Sequence, residues 1–305
     1  MGRRLPYVRT STGKRVKLKT RDLEMLVALD WRGGMLPTSY LFEYASHKHR
    51  TSFLNRVNDL YHENNTPHHS PYLDHPQFQF GSVDADENEL VHKLDDAAYV
   101  AMGSREEYAI RPGGPGEHQL MANCIYSSIE IQANKNAGLR FVHQHELLQE
   151  AGRSIKIEAK GVGELIPDGM FVLERHGKRI LFFLEADRAT EPRNTSSRRK
   201  SWVPLIRQYQ ELLETNKPDQ LYKRLFNVNC GAVMLNFTTE HTRGRGMVSD
   251  VAETFKRGRC NYILTHVLPD FGKYFKPPDI MQLLDVHYQR AGMSDTTILH
   301  LFAQK

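Results

Sequence analysis

The chain has 305 residues, 40% of them hydrophobic and 25% charged, with 41 Lys and Arg against 36 Asp and Glu for a formal net charge of +5. These proportions exclude a disordered, collagen-like or coiled-coil chain, and the length suits two domains of ~150 residues each. Unbroken apolar runs such as Ile180 to Leu184 fall far short of the ~18 residues of a membrane-spanning helix. The N-terminus is basic without an apolar core, so no secretory signal is expected. Cys124, Cys230 and Cys260 are odd in number and form no CxxC pair, which fits a reducing cytoplasm.

Positive charge is segregated. Arg3, Arg4, Arg9, Lys14, Arg15, Lys17, Lys19 and Arg21 open the chain with no carboxylate among them, and Arg193, Arg198, Arg199 and Lys200 cluster later in a polar stretch. Such clusters suit a polyanion such as DNA, or else form a solubilising tail and a solvated loop.

After a basic arm over 1–19, three short helices are expected. Thr20 caps the first, with Asp22 in its first turn and Leu23, Leu26 and Val27 on one face, and Gly33-Gly34 ends it. Thr38 or Ser39 opens the second, with Leu41, Phe42, Tyr44 and Ala45 as its apolar side. The third runs from about Arg50 to His62 and buries Phe53, Leu54, Val57, Leu60 and Tyr61. Tyr72–Phe80 and Ala97–Met102 read as the strands of a hairpin.

Three helices and a hairpin in this order predict a winged helix-turn-helix over 20–103. The third helix would enter the major groove of double-stranded DNA, presenting Lys48, His49, Arg50, Thr51, Ser52, Asn55 and Arg56 to phosphates and base edges. A packing domain with a merely wetted face is the competing reading. The segment Asp84–Asp96, with six carboxylates against one Lys, should face away from phosphate.

The Gly- and Pro-rich stretch GSREEYAIRPGGPG predicts a linker over 104–116, and a second, mixed α/β domain over 117–305. A long helix from about Glu117 to Asn136 carries Leu120, Met121, Cys124, Ile125, Ile129 and Ala133 on its apolar stripe. Extended segments follow at 139–143 and 154–159. Leu165–Glu174 and Lys178–Asp187, joined by Arg175-His176-Gly177, form the strongest hairpin signal in the chain. A helix from about Val203, a strand at 231–237, a helix at 247–257 and a strand at 262–268 complete the pattern.

Asp168 starts one strand of that hairpin, and Glu185 and Asp187 end its partner, two residues apart and so on one face. Acids at the end of a greasy strand repel one another and lose hydration. Either a cation offsets this, Mg²⁺ or Mn²⁺ being the ions suited to three carboxylates, or Arg179, Arg188 or the Arg198–Lys200 cluster forms ordinary salt bridges with them. A bound ion there would polarise a phosphoryl oxygen and activate water for phosphodiester attack.

Pro167-Asp168, a hairpin and Glu185-Ala186-Asp187 resemble the PD-(D/E)XK nuclease core. More widely, the chain resembles the replication-relaxation family of plasmid and mobile-element proteins over roughly residues 20–240. The matching features are the helical segment Thr20–Tyr61, His118-Gln119-Leu120 with Asn123, Pro167-Asp168-Gly169, Glu185-Ala186-Asp187-Arg188-Ala189-Thr190, and Tyr209.

The resemblance implies an α+β protein in which the winged helix precedes a restriction-endonuclease-like domain. It also implies a DNA-binding role in plasmid replication or mobilisation, alongside other replication or mobilisation proteins. In its catalytic form Asp168, Glu185 and Asp187 would hold the metal as a divalent-metal-dependent endonuclease or nicking accessory. The nuclease pattern ends in Lys where this chain has Asp187. Lys200 would supply the missing amine, with Arg198 or Arg199 able to replace only its charge, and Glu130 would be the acid of the long helix. The alternative is a non-catalytic initiator or regulator with a degenerate nuclease-like domain, and a pure protein-interaction module is a third reading. His47 with His49, and His68, His69, Asp74 and His75, have ligand chemistry without zinc spacing. His143 and His145 either approach the acids or cap a helix.

Overall fold

A computed structural model of the chain describes residues 8–76, 79, 89–103, 116–151, 155–159, 163–188, 202–215, 222–223, 227, 230–271 and 279–303. Residues 104–115 of the linker stretch and the basic cluster containing Arg193, Arg198, Arg199 and Lys200 lie outside these residues, as do residues 84–88 of the acidic stretch. The described residues are mixed α and β and fall into two compact units.

The first unit runs through Ser127 and takes in Asp279 and Ile280. Its elements are β1 (Val16–Lys17), α1 (Thr20–Trp31), β2 (Met35–Pro37), α2 (Thr38–Tyr44), α3 (Arg50–His62), β3 (Asn65–Thr66), β4 (Leu73–Asp74), β5 (Val91–Leu94) and α4 (Asp96–Met102), followed by the first part of α5 (Gly116–Lys135). Helix α3 has the bounds its periodicity predicts. Phe53, Val57, Leu60 and Tyr61 are buried, but Leu54 is 38% exposed, one position off the inward stripe. In α1 the residue before the helix is Lys19 rather than Thr20. Asp22 reaches back to accept the Lys19 N–H at 2.7 Å, satisfying a donor that the first turn leaves open.

The hairpin expectation needs correction. Ala97–Met102 is helical, because Asp95 accepts the Asp96 N–H at 2.7 Å and Gly103 closes the helix in the left-handed conformation at φ 64°. The strand partner is β5 instead, and the antiparallel sheet runs β2-β5-β4.

The arm is folded down from Val8 onward. Val16–Lys17 pairs in parallel with Asn65–Thr66, Arg9 bonds to Asp95 and to the Leu73 carbonyl, and Lys14 pairs with Asp59 at 2.6 Å. Buried Glu63 accepts four bonds from Ser11 and Thr12, between 2.6 and 3.1 Å.

The second unit contains the rest of α5, β6 (Leu139–Val142), α6 (Gln144–Ala151), β7 (Ile157–Ala159), β8 (Gly163–Leu165), β9 (Gly169–Arg175), β10 (Lys178–Asp187), α7 (Trp202–Gln210), β11 (Gly231–Thr238), α8 (His241–Thr254), β12 (Ile263–Val267), β13 (Tyr288–Arg290) and β14 (Met293–Thr296). Among the described residues a sheet of seven strands runs β14-β13-β12-β11-β10-β9-β6, with β10, β11 and β12 parallel and the outer pairs antiparallel.

The turn between β9 and β10 is tight because His176 and Gly177 both take positive φ, 51° and 77°. Ile180 through Ala186 are all buried, so both faces of β10 are covered. Leu181 and Phe183 join one core with Ile206, Tyr209, Met247 and Val251 of α7 and α8. On the alternate face Phe182 stacks on Phe171 at 5.1 Å, and Phe171 on Phe141 at 5.0 Å.

Helix α8 starts six residues before its expected position. Gly244 and Gly246 weaken its helical signal, yet a Cβ on Gly244 would lie 2.8 Å from Val267 Cγ2, so close packing on β12 requires the glycine. Strands β13 and β14 are short and had no expectation, while α6, expected only as a helix that His143 or His145 caps, ends directly before Gly152 in the sequence.

Candidate functional site

The β9–β10 register pairs Leu184 with Gly169 and so sets Asp168 beside the end of β10. The Asp168 N–H donates to the Leu184 carbonyl at 2.9 Å, and its carboxylate accepts the Ala186 N–H at 2.8 Å. Asp168 and the Glu185–Asp187 segment therefore meet at one sheet edge. Parallel pairing of β10 and β11 puts Asn236 beside Glu185 and Thr238 beside Asp187.

Each acid has a protein partner. Glu185, 3% exposed, accepts the Tyr209 hydroxyl at 2.7 Å. Burial pushes the Tyr209 hydroxyl pKa well up, and the Glu185 charge, their hydrogen bond and the Asp168 charge add to this. Tyr209 thus stays protonated and donates at every ordinary pH. Asp187 forms an ion pair with Arg243 Nε from α8, both side chains 11% exposed. Arg243 carried no sequence signal, since its partner lies 56 residues away, with α7 and β11 between them. Asn236 and Thr238, fully buried alongside, each leave a side-chain oxygen without a hydrogen-bond partner.

A site for Mg²⁺ or Mn²⁺ would draw on these carboxylates. Among the described residues no three His, Cys, Asp or Glu side chains converge closely enough to hold a metal ion. Asp187 is neutralised by a guanidinium, and one oxygen each of Asp168 and Glu185 is already engaged. The protein's own groups thus occupy oxygens that a bound ion would need. Lys200 lies outside the described residues. Glu130 is buried within α5, and His143 and His145 stack at 5.2 Å at the start of α6, where the His143 N–H bonds to Glu146.

In the first unit Lys48, His49, Arg50, Thr51, Ser52 and Asn55 are all exposed at and along α3. Arg50 is 63% exposed and lies 3.8 Å from Glu89, a loose pair. Arg56 turns inward. It holds Asp22 with two guanidinium nitrogens and also donates to the Lys17 carbonyl at 2.7 Å. Beside the ridge, burial lowers the His47 pKa, and the charges of Arg21, Arg56 and Lys19 lower it further while Asp22 opposes.

No helix among the described residues is long and apolar enough to cross a membrane. No curated protein matches the chain, and no solved structure does. The model of one family, replication-relaxation, matches residues 82–228, a span that holds Asp168, Glu185, Asp187 and Tyr209. Over that span, a little under half of the chain, the protein is similar to the replication-relaxation family.

Proposed function

We propose that the chain is a DNA-binding factor of plasmid or mobile-element replication or mobilisation, which holds duplex DNA without cutting it. The match of residues 82–228 to the replication-relaxation family suggests the process. The observation that carries DNA binding is the exposed ridge from Lys48 to Asn55, six cationic or hydrogen-bonding side chains on one solvent-facing stretch. The order α1-β2-α2-α3-β4-β5 with sheet order β2-β5-β4 supports a winged helix-turn-helix in which α3 enters the major groove. Lys48 and Arg50 then anchor phosphates, while Thr51, Ser52 and Asn55 reach base edges. Arg56 serves this reading from behind, bracing α3 against α1.

The second unit supports a nuclease-like scaffold: a mixed sheet with Asp168 and Glu185 at the end of a hairpin. Its acids are tied to Tyr209, Arg243 and backbone, an arrangement that braces the sheet edge rather than exposing a reactive centre.

Fluorescence anisotropy on labelled duplex fragments tests the reading. Binding by the full chain is expected, with Arg50→Ala and Asn55→Ala weakening it at unchanged thermal stability; absence of any retained duplex at low salt would reject it. Supercoiled plasmid incubated with Mg²⁺ or Mn²⁺ should stay intact. Nicking that disappears in Asp168→Ala would instead establish the endonuclease.

A further inference from the structure

Behind α3, three histidines and a tyrosine are packed where arm, helix and sheet meet. The Tyr61 ring lies 4.2 Å from His75 and 4.7 Å from His62, and His75 lies 5.0 Å from His92. All three imidazoles are buried, at 7%, 3% and 2% exposure for His62, His75 and His92.

Their hydrogen bonds fix where each proton sits. Thr38 donates both its N–H and its hydroxyl proton to the Leu90 carbonyl, at 2.9 and 2.8 Å. With that proton on the carbonyl, its oxygen accepts from His92 Nε2 at 2.9 Å, the arrangement in which His92 carries its proton on Nε2. The opposite nitrogen, His92 Nδ1, is a bare lone pair, buried and without a partner. His75 Nδ1 faces the Val91 carbonyl at 2.6 Å and must be the donor there. His62 Nδ1 accepts the Thr10 N–H at 3.1 Å, which ties the arm to the end of α3.

A second proton on His92 would create a buried N–H with no acceptor, beside a second imidazole. The surrounding groups decide how strongly this is resisted. Around His75, burial dominates and lowers the pKa; the Val91 carbonyl and Asp74 of β4 oppose, while His62 of α3 and Arg9 of the arm reinforce. Asp74 offers little relief, being shared between Arg9 at 3.3 Å and Lys93 of β5 at 3.2 Å. Around His92, burial and then His75 both lower the pKa, and Thr38 of α2 is uncharged.

We propose that the His75–His92 pair is a proton-operated latch, closed when both rings are neutral, that opens β5 and the arm from α2 and α3 under mild acid. Both histidines are harder to protonate folded than unfolded, where the ordinary value is 6.5. The open form therefore binds more protons, and the latch is fully closed above that value and weakens as pH falls through it. The inference stands whatever ligand α3 meets.

Amide hydrogen exchange of the full chain between pH 7.5 and 5.5, corrected for intrinsic rates, reads the latch. Protection of the Thr38 and Leu94 amides, bonded to Leu90 and Gly34, should fall about tenfold per pH unit for each proton taken up on opening. Amides of the β10–β11 pair serve as the internal reference. In the doubly substituted His75→Asn, His92→Gln chain, the side-chain amides replace the two donating N–H groups and cannot titrate, so this dependence should vanish. Protection that is flat with pH in the natural chain, or undiminished pH dependence in the double variant, overturns the proposal. If the double variant does not fold, imidazole NMR of the natural chain decides: titration of His75 and His92 at or above 6.5 overturns it, and resistance down to the opening transition supports it.

Discussion

At the scale of single residues, the molecule places several charges inside and pairs each of them. Asp22 is 1% exposed and depends on Arg56, whose side chain is 10% exposed. Removing one partner of a buried pair leaves an uncompensated charge, so Arg56→Ala should cost about 3–5 kcal/mol in urea denaturation. Arg56→Lys should retain part of this, since an ammonium cannot reproduce the two-nitrogen grip. An Arg56→Ala chain as stable as the natural one would place Arg56 on the outer ridge instead. Tyr209 gives a second test. Tyr209→Phe takes one donor from the buried Glu185 carboxylate and should cost about 1–3 kcal/mol. In a double-mutant cycle with Glu185→Gln the two losses should be less than additive; strict additivity would mean that the hydroxyl and carboxylate do not interact.

At the scale of elements, close approach decides more than propensity does. Alanine is favoured over glycine within a helix by about 1 kcal/mol. At Gly244 the new methyl would meet the stiff, β-branched Val267 at 2.8 Å. Overpacking of this kind costs about 1–3 kcal/mol, so Gly244→Ala should lower the melting temperature; a rise would mean that α8 can back away from β12. Elements with a long, clean period were legible in the sequence: α3, the β9–β10 hairpin and the stripe of α5, whose Leu120, Cys124, Ile125 and Ile129 are all buried. The error at Ala97–Met102 has a local cause. The six residues AAYVAM suit either state, and what selects helix is the Asp95 cap and the pairing of Val91–Leu94 with both β2 and β4.

At the scale of the whole molecule, a net charge of +5 alone guarantees neither partner nor mode. Its distribution is more informative. Duplex affinity should fall with salt on a log–log plot with a slope near 0.9 for each phosphate neutralised, and Lys48→Ala with Arg50→Ala should lower that slope by about two units of contact. An unchanged slope would move the DNA-facing surface off α3. The arm is a poor object for deletion, because Arg9, Ser11, Thr12, Lys14 and Val16 are woven into the first unit and their loss would disturb folding and binding together.

The amino-acid sequence by itself determined the α+β class, the adjacency of Asp168 to the Glu185 strand end, and the polar face of α3, because hydrophobic period and tight-turn chemistry act between near neighbours in the chain. The partners of those charges were settled only by tertiary structure. Arg56 reaches Asp22 across 34 residues, Arg243 reaches Asp187 across 56, and His92 comes to rest against His75 and Thr38 through strand pairing. Each depends on which elements pack together and at what angle, and buried side chains are neutralised by whatever that packing brings within hydrogen-bonding distance.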